Sequence, residues 1–458
     1  MRLCFCLSIK ITMKKALLLL SLVLIITGSV YAQNCPTNYL GTKTLYKYQS
    51  QKYTAVPAGY LPVFINHVGR HGARHLTKEV KKAYAYAILL QAESANALTD
   101  KGKQLKQMVI ALQKVEQGKT KFISAEGKDE LYGIGQRMVL DYGNVFKGKV
   151  NLDIAVTREV RTTQSANAFL SGLNSKLKDT ANTNFYNDDT DLRFYDLSPA
   201  YKKFEGSISN CDLVLSIKKA DYFTTLVNAV TSQFFTADFL SKIDQDKKEK
   251  FVDDVFGFAT IVYSLNAEIK QAGFDRNQLA FDSFFTCDQL QKLGNLDSAI
   301  ENLEKGAGID NNGIQVRVAV PLLVDFITSA DQFIKTGKYN ARLRFAHAET
   351  TAPFATLLQL STADKNGKDI KSIQTNWKSE DIIPLSANIE WVFYKKAGET
   401  DYLVKVLLNE KEARIDGLDK KHFPYYKWSE IRGLYLAKLK SLGVNLGDDM
   451  SAYLSNIR

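Results

Sequence analysis

Leu61-Pro62-Val63-Phe64-Ile65-Asn66-His67-Val68-Gly69-Arg70-His71-Gly72-Ala73-Arg74-His75-Leu76-Thr77 decides how this chain is read. The first five residues are an apolar run of the length of a buried strand in a parallel sheet. Beyond the stretch, Val80, Tyr84, Ile88 and Leu89 recur at spacings of three and four, which predicts a helix over 78–91. Residues 66–77 are therefore expected on a loop at the carboxyl end of a strand, ahead of a helix. Open α/β sheets bind their ligands in that position.

The residue types suit an anion better than a cation. His67, His71 and His75 are spaced by four, so on a helix they would share a face and suggest zinc. Gly69 and Gly72 are poor helix-interior residues, and Arg70 and Arg74 would set fixed positive charges beside the metal. Guanidinium forks match phosphate oxygens, and an imidazole held among them can attack phosphorus to form a phosphohistidine. The bland alternative is a basic turn with one hydrogen-bonded histidine. Arg70-His71-Gly72-Ala73-Arg74, with Thr77 beyond, resembles the RHGxRxPT signature of the histidine acid phosphatase branch of the histidine phosphatases. Leu76 stands where that signature has proline.

The chain has 458 residues, enough for one large or two interleaved domains. At 45% hydrophobic and 24% charged it is ordinary for a folded protein. A net charge of +11 suggests an anionic partner; charge alone would fit nucleic acid, a membrane surface or a polyphosphate. Residues 1–32 read as a leader. Met13-Lys14-Lys15 precedes an apolar run over 16–26, Val30-Tyr31-Ala32 offers small residues for cleavage, and 1–12 reads as an upstream extension. The run is short for a membrane anchor, so no span is expected after its removal. An exported protein, periplasmic or on the outer surface of a Gram-negative bacterium, is the expectation. Cys35, Cys211 and Cys287 remain, and Cys211 with Cys287 is one pairing they allow. No CxxC or mixed cysteine–histidine cluster has metal spacing, so no structural zinc is expected, and no cofactor is expected either.

Two more strand ends carry polar residues. A strand over 152–156 ends at Thr157-Arg158-Glu159-Val160-Arg161-Thr162, before a helix with Ala166, Phe169, Leu170 and Leu173 on its apolar stripe. Helix starts favour anions. A strand over 341–346 runs into His347-Ala348-Glu349, with Pro353 placed as in a helix's first turn. The intervening region, 191–312, is poor in strand signals: it offers a short strand over 192–196, then helices over 222–235, 237–265 and 287–303. A further helix over 314–334 holds Pro321 at its kink or its start. Later strands are expected over 388–394 and 402–408, with a last helix over 426–439.

These stretches extend the resemblance. Leu131-Tyr132-Gly133-Ile134-Gly135-Gln136-Arg137-Met138 looks like a degraded LTxxGxxQ helix, and its glycines suggest close packing against a sheet. Residues 161–173 resemble the family's RxxxTAxxFxxGL stretch, which aligns Arg161 with a third phosphate-binding arginine. His347-Ala348-Glu349 looks like the HAE variant of the multiple inositol-polyphosphate phosphatases, as do residues 192–196, Ser386-Ala387-Asn388 and Leu408-Asn409-Glu410. The resemblance implies an α/β fold, a mostly parallel sheet flanked by helices, with core parts 33–190 and 313–458 and an inserted, mainly α-helical cap over 191–312. It implies His71 as nucleophile, Glu349 as proton donor, and Arg70, Arg74, Thr77, Arg161 and His347 as phosphate ligands. Arg158 and Lys305 are candidate substrate contacts, and Lys202 and Lys203 candidate cleft residues. Inositol hexakisphosphate and lower inositol phosphates are the implied substrates, with no nucleic-acid partner. A general acid phosphatase and a non-catalytic binder of phosphorylated ligands are the alternatives.

Overall fold

A computed structural model describes residues 35–50 and 52–458. The leader and its extension, residues 1–32, lie outside the described residues. Thr37–Arg458 form one compact unit.

At its centre is a mixed sheet of mostly parallel strands. The parallel half is β1 (Leu61–Arg70), β2 (Asn151–Val156), β3 (Asn182–Asn187) and β4 (Ala341–Ala346). The other half is β5 (Asn388–Lys395), β6 (Leu403–Leu408), β7 (Lys411–Glu412) and β8 (Tyr425–Lys427). The order is β3-β2-β4-β1-β5-β6-β7, with β8 pairing on β6, and β5 runs antiparallel to β1. In the parallel half β4 lies between β1 and β2, so its partners come from far along the chain.

Alternation along β1 divides the core. Phe64 and Val68 face one side, under α7 (Val320–Thr336), α8 (Ala348–Leu357) and α9 (Trp428–Ser441). There the Trp391 ring of β5 stacks on Tyr435 of α9, centroids 5.6 Å apart. Ile65 faces the other side, with Leu152, Ile154 and Phe345, under α3 (Ala125–Asp141) and α4 (Val160–Asn174). Helices α1 (Tyr84–Ser94), α2 (Asp100–Glu116), α5 (Gln245–Ile261) and α6 (Cys287–Lys305) build the helical part of the molecule. Between Asn187 and Ala341 the described residues include no strand.

Several local expectations change. Residues 66–70 are strand, not loop: β1 continues through Arg70, and Gly69 lies where a Cβ would sit 2.9 Å from the His67 ring. The helix expected from residue 78 begins at Tyr84, after a 3-10 turn over Val80–Lys82 and extended backbone at Ala83. Residues 192–196 form no strand; Phe194–Leu197 is a helical turn, because Leu192, Phe194 and Tyr195 are all buried and do not alternate. The helix expected over 237–265 breaks into Ala237–Leu240 and α5, with Asp244 extended at the junction. Pro321 starts α7, whereas Pro353 lies inside α8. Lacking an N–H, Pro353 leaves the Glu349 carbonyl without its helical donor. Gly135 packs α3 on α4, its Cβ position 2.2 Å from the Phe169 carbonyl, while Gly133 meets only Arg137 of its own helix. The strand β3 was hidden by its polar sequence, which suits a sheet edge. Cys211 is a free thiol and Cys287 is disulfide-bonded, so these two are not paired.

Candidate active site

Register brings three chain segments to one place. Arg70 of β1 pairs with Ala346 of β4, and Val156 of β2 pairs with Phe345. The next residues of each strand, His71, His347 and Thr157, therefore emerge together at the carboxyl edge. The His71 and His347 ring centroids are 5.6 Å apart.

The His71 ring is buried, and its Nδ1 lies 3.0 Å from the Gly72 carbonyl oxygen. A carbonyl only accepts, so Nδ1 carries the hydrogen and Nε2 keeps its lone pair. Burial first, and then the charges of Arg70, Arg74 and Arg161, hold the proton affinity of the ring well below that of an ordinary histidine. The loop that presents the ring is pinned by its backbone. His71 N donates to the Ala346 carbonyl, Gly72 N to Ser165 Oγ, and Ser386 N to the His71 carbonyl, at 2.9, 3.1 and 3.1 Å.

Helix α3 supports this loop from below. A Cβ on Gly72 would stand 2.6 Å from the Gly127 carbonyl, and one on Gly127 only 2.1 Å from that of Ala73. Glycine at both positions lets the helix start touch the loop. Glu130, one turn further, accepts from Ala73 N at 3.0 Å, from Tyr46 N at 2.7 Å and from Ser386 Oγ at 2.7 Å. Burial pushes its carboxyl up to about 7. Ser124 caps this helix by accepting from Gly127 N.

Three guanidiniums surround the His71 ring. Arg70 Nη1 donates to the Thr42 and Ile383 carbonyls, both at 2.6 Å. Arg74 Nη1 donates to the His75 carbonyl at 2.9 Å. Arg161 donates to Glu159 Oε2 at 2.7 Å and, through Nη2, to His347 Nδ1 at 3.1 Å. The Nε atoms of all three are buried with no hydrogen-bond partner among the described residues. Burial, then Arg70 and Arg161, lowers Arg74 to about 10, so it stays charged at neutral pH. Like charges packed with unpaired donors are costly unless an anion joins them, and a tetrahedral oxyanion supplies the acceptors this cluster lacks.

His347 sits between Arg161 and Thr157. Because Arg161 can only donate, His347 Nδ1 accepts, and Nε2–H is directed to Thr157 Oγ1 at 2.9 Å. Burial and then Arg161 hold its proton affinity well below the usual value. So bonded, the ring is held toward its neutral form, and its Nδ1 fixes the direction of the Arg161 guanidinium.

Glu349 sits in the first turn of α8, the side chain about one-third exposed at 33%. Burial alone would raise its pKa, but the Lys305 ammonium, 3.2 Å from Oε1, holds the carboxylate well below the ordinary range. Lys305 itself is 4% exposed and also pairs with Glu301 at 2.7 Å. Its Nζ, a candidate substrate contact, is held here by these carboxylates.

The other sequence candidates lie outside this cluster. Thr77 is exposed and lines a surface cleft of about 260 Å³ with Lys250 and Asp253, so the phosphate-binding role expected for it finds no support in its placement. Arg158 is 78% exposed and pairs with Asp189. Lys202 pairs with Asp196 and Glu205, and Lys203 is exposed. The three evenly spaced histidines diverge: His67 packs between Phe169 and Phe345, and His75 lies 3.2 Å from Glu116.

The family model of the histidine phosphatase superfamily (branch 2) matches residues 63–409. The chain belongs to that superfamily. It is a phosphatase acting on phosphorylated substrates. Among solved structures, the multiple inositol polyphosphate phosphatase of Bifidobacterium longum in complex with inositol hexasulfate is 21% identical. It has a TM-score of 0.73, covering 86% of this chain and 97% of that one. The phytase from D. castellii is 14% identical with a TM-score of 0.63, covering 91% of this chain and 89% of that one. At these identities the likeness is one of fold. No curated protein sequence matches this histidine phosphatase.

Proposed function

We propose that this phosphatase hydrolyses inositol polyphosphates, inositol hexakisphosphate first, through a phosphohistidine on His71. The observation that carries the chemistry is the free Nε2 of His71 inside three guanidiniums whose buried Nε donors have no partner among the described residues. His71 Nε2 attacks phosphorus, forming the P–N bond as the ester P–O bond breaks, while the arginines stabilise the charge on the transferring oxygens. Glu349 gives its proton to the leaving alkoxide, then takes one from the water that cleaves the P–N bond. Lys305 keeps Glu349 ionised in the free enzyme; an arriving phosphate, being anionic, raises its proton affinity and readies it as the acid.

The substrate class rests on the His347-Ala348-Glu349 motif and on the likeness to the Bifidobacterium longum and D. castellii enzymes. Export across the inner membrane is part of the proposal and rests on residues 13–32 of the sequence. Phosphate release from inositol hexakisphosphate at about pH 5, with EDTA present, tests the reading in wild type, His71→Ala and Glu349→Gln. Activity that survives EDTA and vanishes in His71→Ala supports it. Cleavage of simple phosphate esters with none of inositol hexakisphosphate leaves the mechanism and removes the substrate class. Binding without any release makes the protein a binder.

A further inference from the structure

A fully buried lysine is costly unless its charge is matched, so what matches Lys305 indicates its use. It ends α6, where a cation is favoured by the helix dipole. Its Nζ lies 2.7 Å from Glu301 Oε2, 3.2 Å from Glu349 Oε1 and 3.8 Å from Glu304 Oε2. Glu301 is one helical turn back on the same face and would neutralise Lys305 by itself. Glu349 belongs to another element, α8, and competes with Glu301 for the same ammonium. The helix end is fixed by Tyr201, whose hydroxyl donates to the Glu304 carbonyl at 3.1 Å.

We infer that Lys305 is a positioning residue that divides its charge between Glu301 and Glu349, and so sets the pH above which Glu349 can no longer supply a proton. The inference rests on the acid role of Glu349 proposed above. The other groups facing Glu349 are Arg70 from β1, Arg74 from the loop after it, His347 at the start of its own helix, and Tyr195 and Tyr201 from the segment after β3. Around Lys305 stand Tyr201 and the carboxylates Glu301 and Glu304, with Glu205 near Glu304. Burial raises Glu304 to about 7, so near neutrality it is in part protonated and a weaker competitor than Glu301. Among these groups Lys305 is the cation nearest the acid, and Glu301 is its closest alternative partner.

The test is the alkaline limb of the kcat–pH profile, read on an alkyl phosphate such as inositol hexakisphosphate. Lys305→Met removes the charge that keeps Glu349 ionised, so the limb moves up by about 1–3 pH units. Glu301→Gln leaves more of the ammonium to Glu349, so the limb moves down. Lys305→Arg keeps the charge and the wild-type limb. With 4-nitrophenyl phosphate, whose leaving group needs no proton, the shifts disappear. A lysine that only held the fold would lower kcat at every pH and leave the limb in place. If Lys305→Met does not fold, the isosteric Glu301→Gln still decides: an unmoved limb overturns the inference. Glu349→Gln separates the two claims. If it retains full activity on the alkyl ester, the acid assignment falls. If it is inactive while the Lys305→Met and Glu301→Gln limbs superimpose on the wild type, only the role of Lys305 falls.

Discussion

Arg161 and His347 hold one another in place: Nη2 of the arginine donates to Nδ1 of the histidine across 3.1 Å, and the far side of the ring is tied to Thr157. The guanidinium is thereby aimed from α4 into a site built at the ends of β1 and β4. Replacing His347 with alanine frees Arg161 while the backbone hydrogen bonds that hold His71 remain. The expected result is a loss in kcat/KM of about 10²-fold, the size that misplacing a transition-state group by an ångström produces. The inhibition constant of inorganic phosphate should rise with it. Arg161→Lys should lose a similar amount, because an ammonium has no fork. Unchanged phosphate inhibition in His347→Ala would contradict this role.

His71→Ala should lower phosphate release by about 10³-fold or more, as expected when a covalent nucleophile is removed. Rapid mixing with labelled phosphate ester followed by an alkaline quench, under which phosphohistidine survives, should trap label on the wild type. No label should remain on the variant. Trapped label on His71→Ala would move the nucleophile elsewhere.

The pH dependence of the nucleophile has a definite sign. Burial and three arginines lower the His71 pKa, so the neutral, nucleophilic ring persists as pH falls. The acid limb of kcat/KM, which reports the free enzyme, should therefore lie well below the ordinary histidine value of about 6.5. Arg161→Met removes one repelling charge and should move that limb toward higher pH. A wild-type limb near the ordinary value would show that the ring is not held neutral in this way.

Two glycines on helices should respond oppositely to alanine. At Gly127 the added methyl would meet the Ala73 backbone, which cannot yield without moving the loop of His71 and Arg74. Gly127→Ala should cost about 1–3 kcal/mol or more and reduce activity as well. At Gly206, in the helix Pro199–Ile208, nothing stands within 4 Å of the new atom. Gly206→Ala should stabilise by about 0.5–1 kcal/mol and leave catalysis alone. Thermal melts of the two proteins beside the wild type check both signs.

Glu130 joins three donors that are otherwise alone: the backbone N–H groups of Ala73 and Tyr46 and the hydroxyl of Ser386. Glu130→Ala leaves them buried and unpaired, at about 1–3 kcal/mol each. A fall in melting temperature with a parallel loss of kcat/KM is expected. Wild-type stability in this variant would mean the loop is held by other contacts.

The strands that carry the site were legible because their sequences are short apolar runs ending in chemistry. Residues 341–346 and 152–156 are found where the pattern puts them, and the polar ends hold His71, Arg161, His347 and Glu349. Gly69 read as a loop residue, whereas in β1 it makes room for the His67 ring. β3 escaped because an edge strand needs no apolar face. The neutrality of His347 depends on which atom Arg161 reaches, and the attachment of Lys305 to Glu349 joins two helices 44 residues apart. Periodicity carries no information about either. Glu130 gave no signal of its own, because its three partners come from Ala73, Tyr46 and Ser386, far apart in the sequence.

The pairing of β1 with β4 sets Ile65 opposite Ala341 and Arg70 opposite Ala346, strands separated by most of the chain. His71 and Glu349 cannot meet until that long loop has closed. Closing it costs entropy before any contact across it is gained, and parallel pairings of this kind form slowly. Catalytic competence is thus a late event in the life of each molecule. A chain still being synthesised, or cut anywhere before β4, carries His71 without His347 and Glu349 beside it.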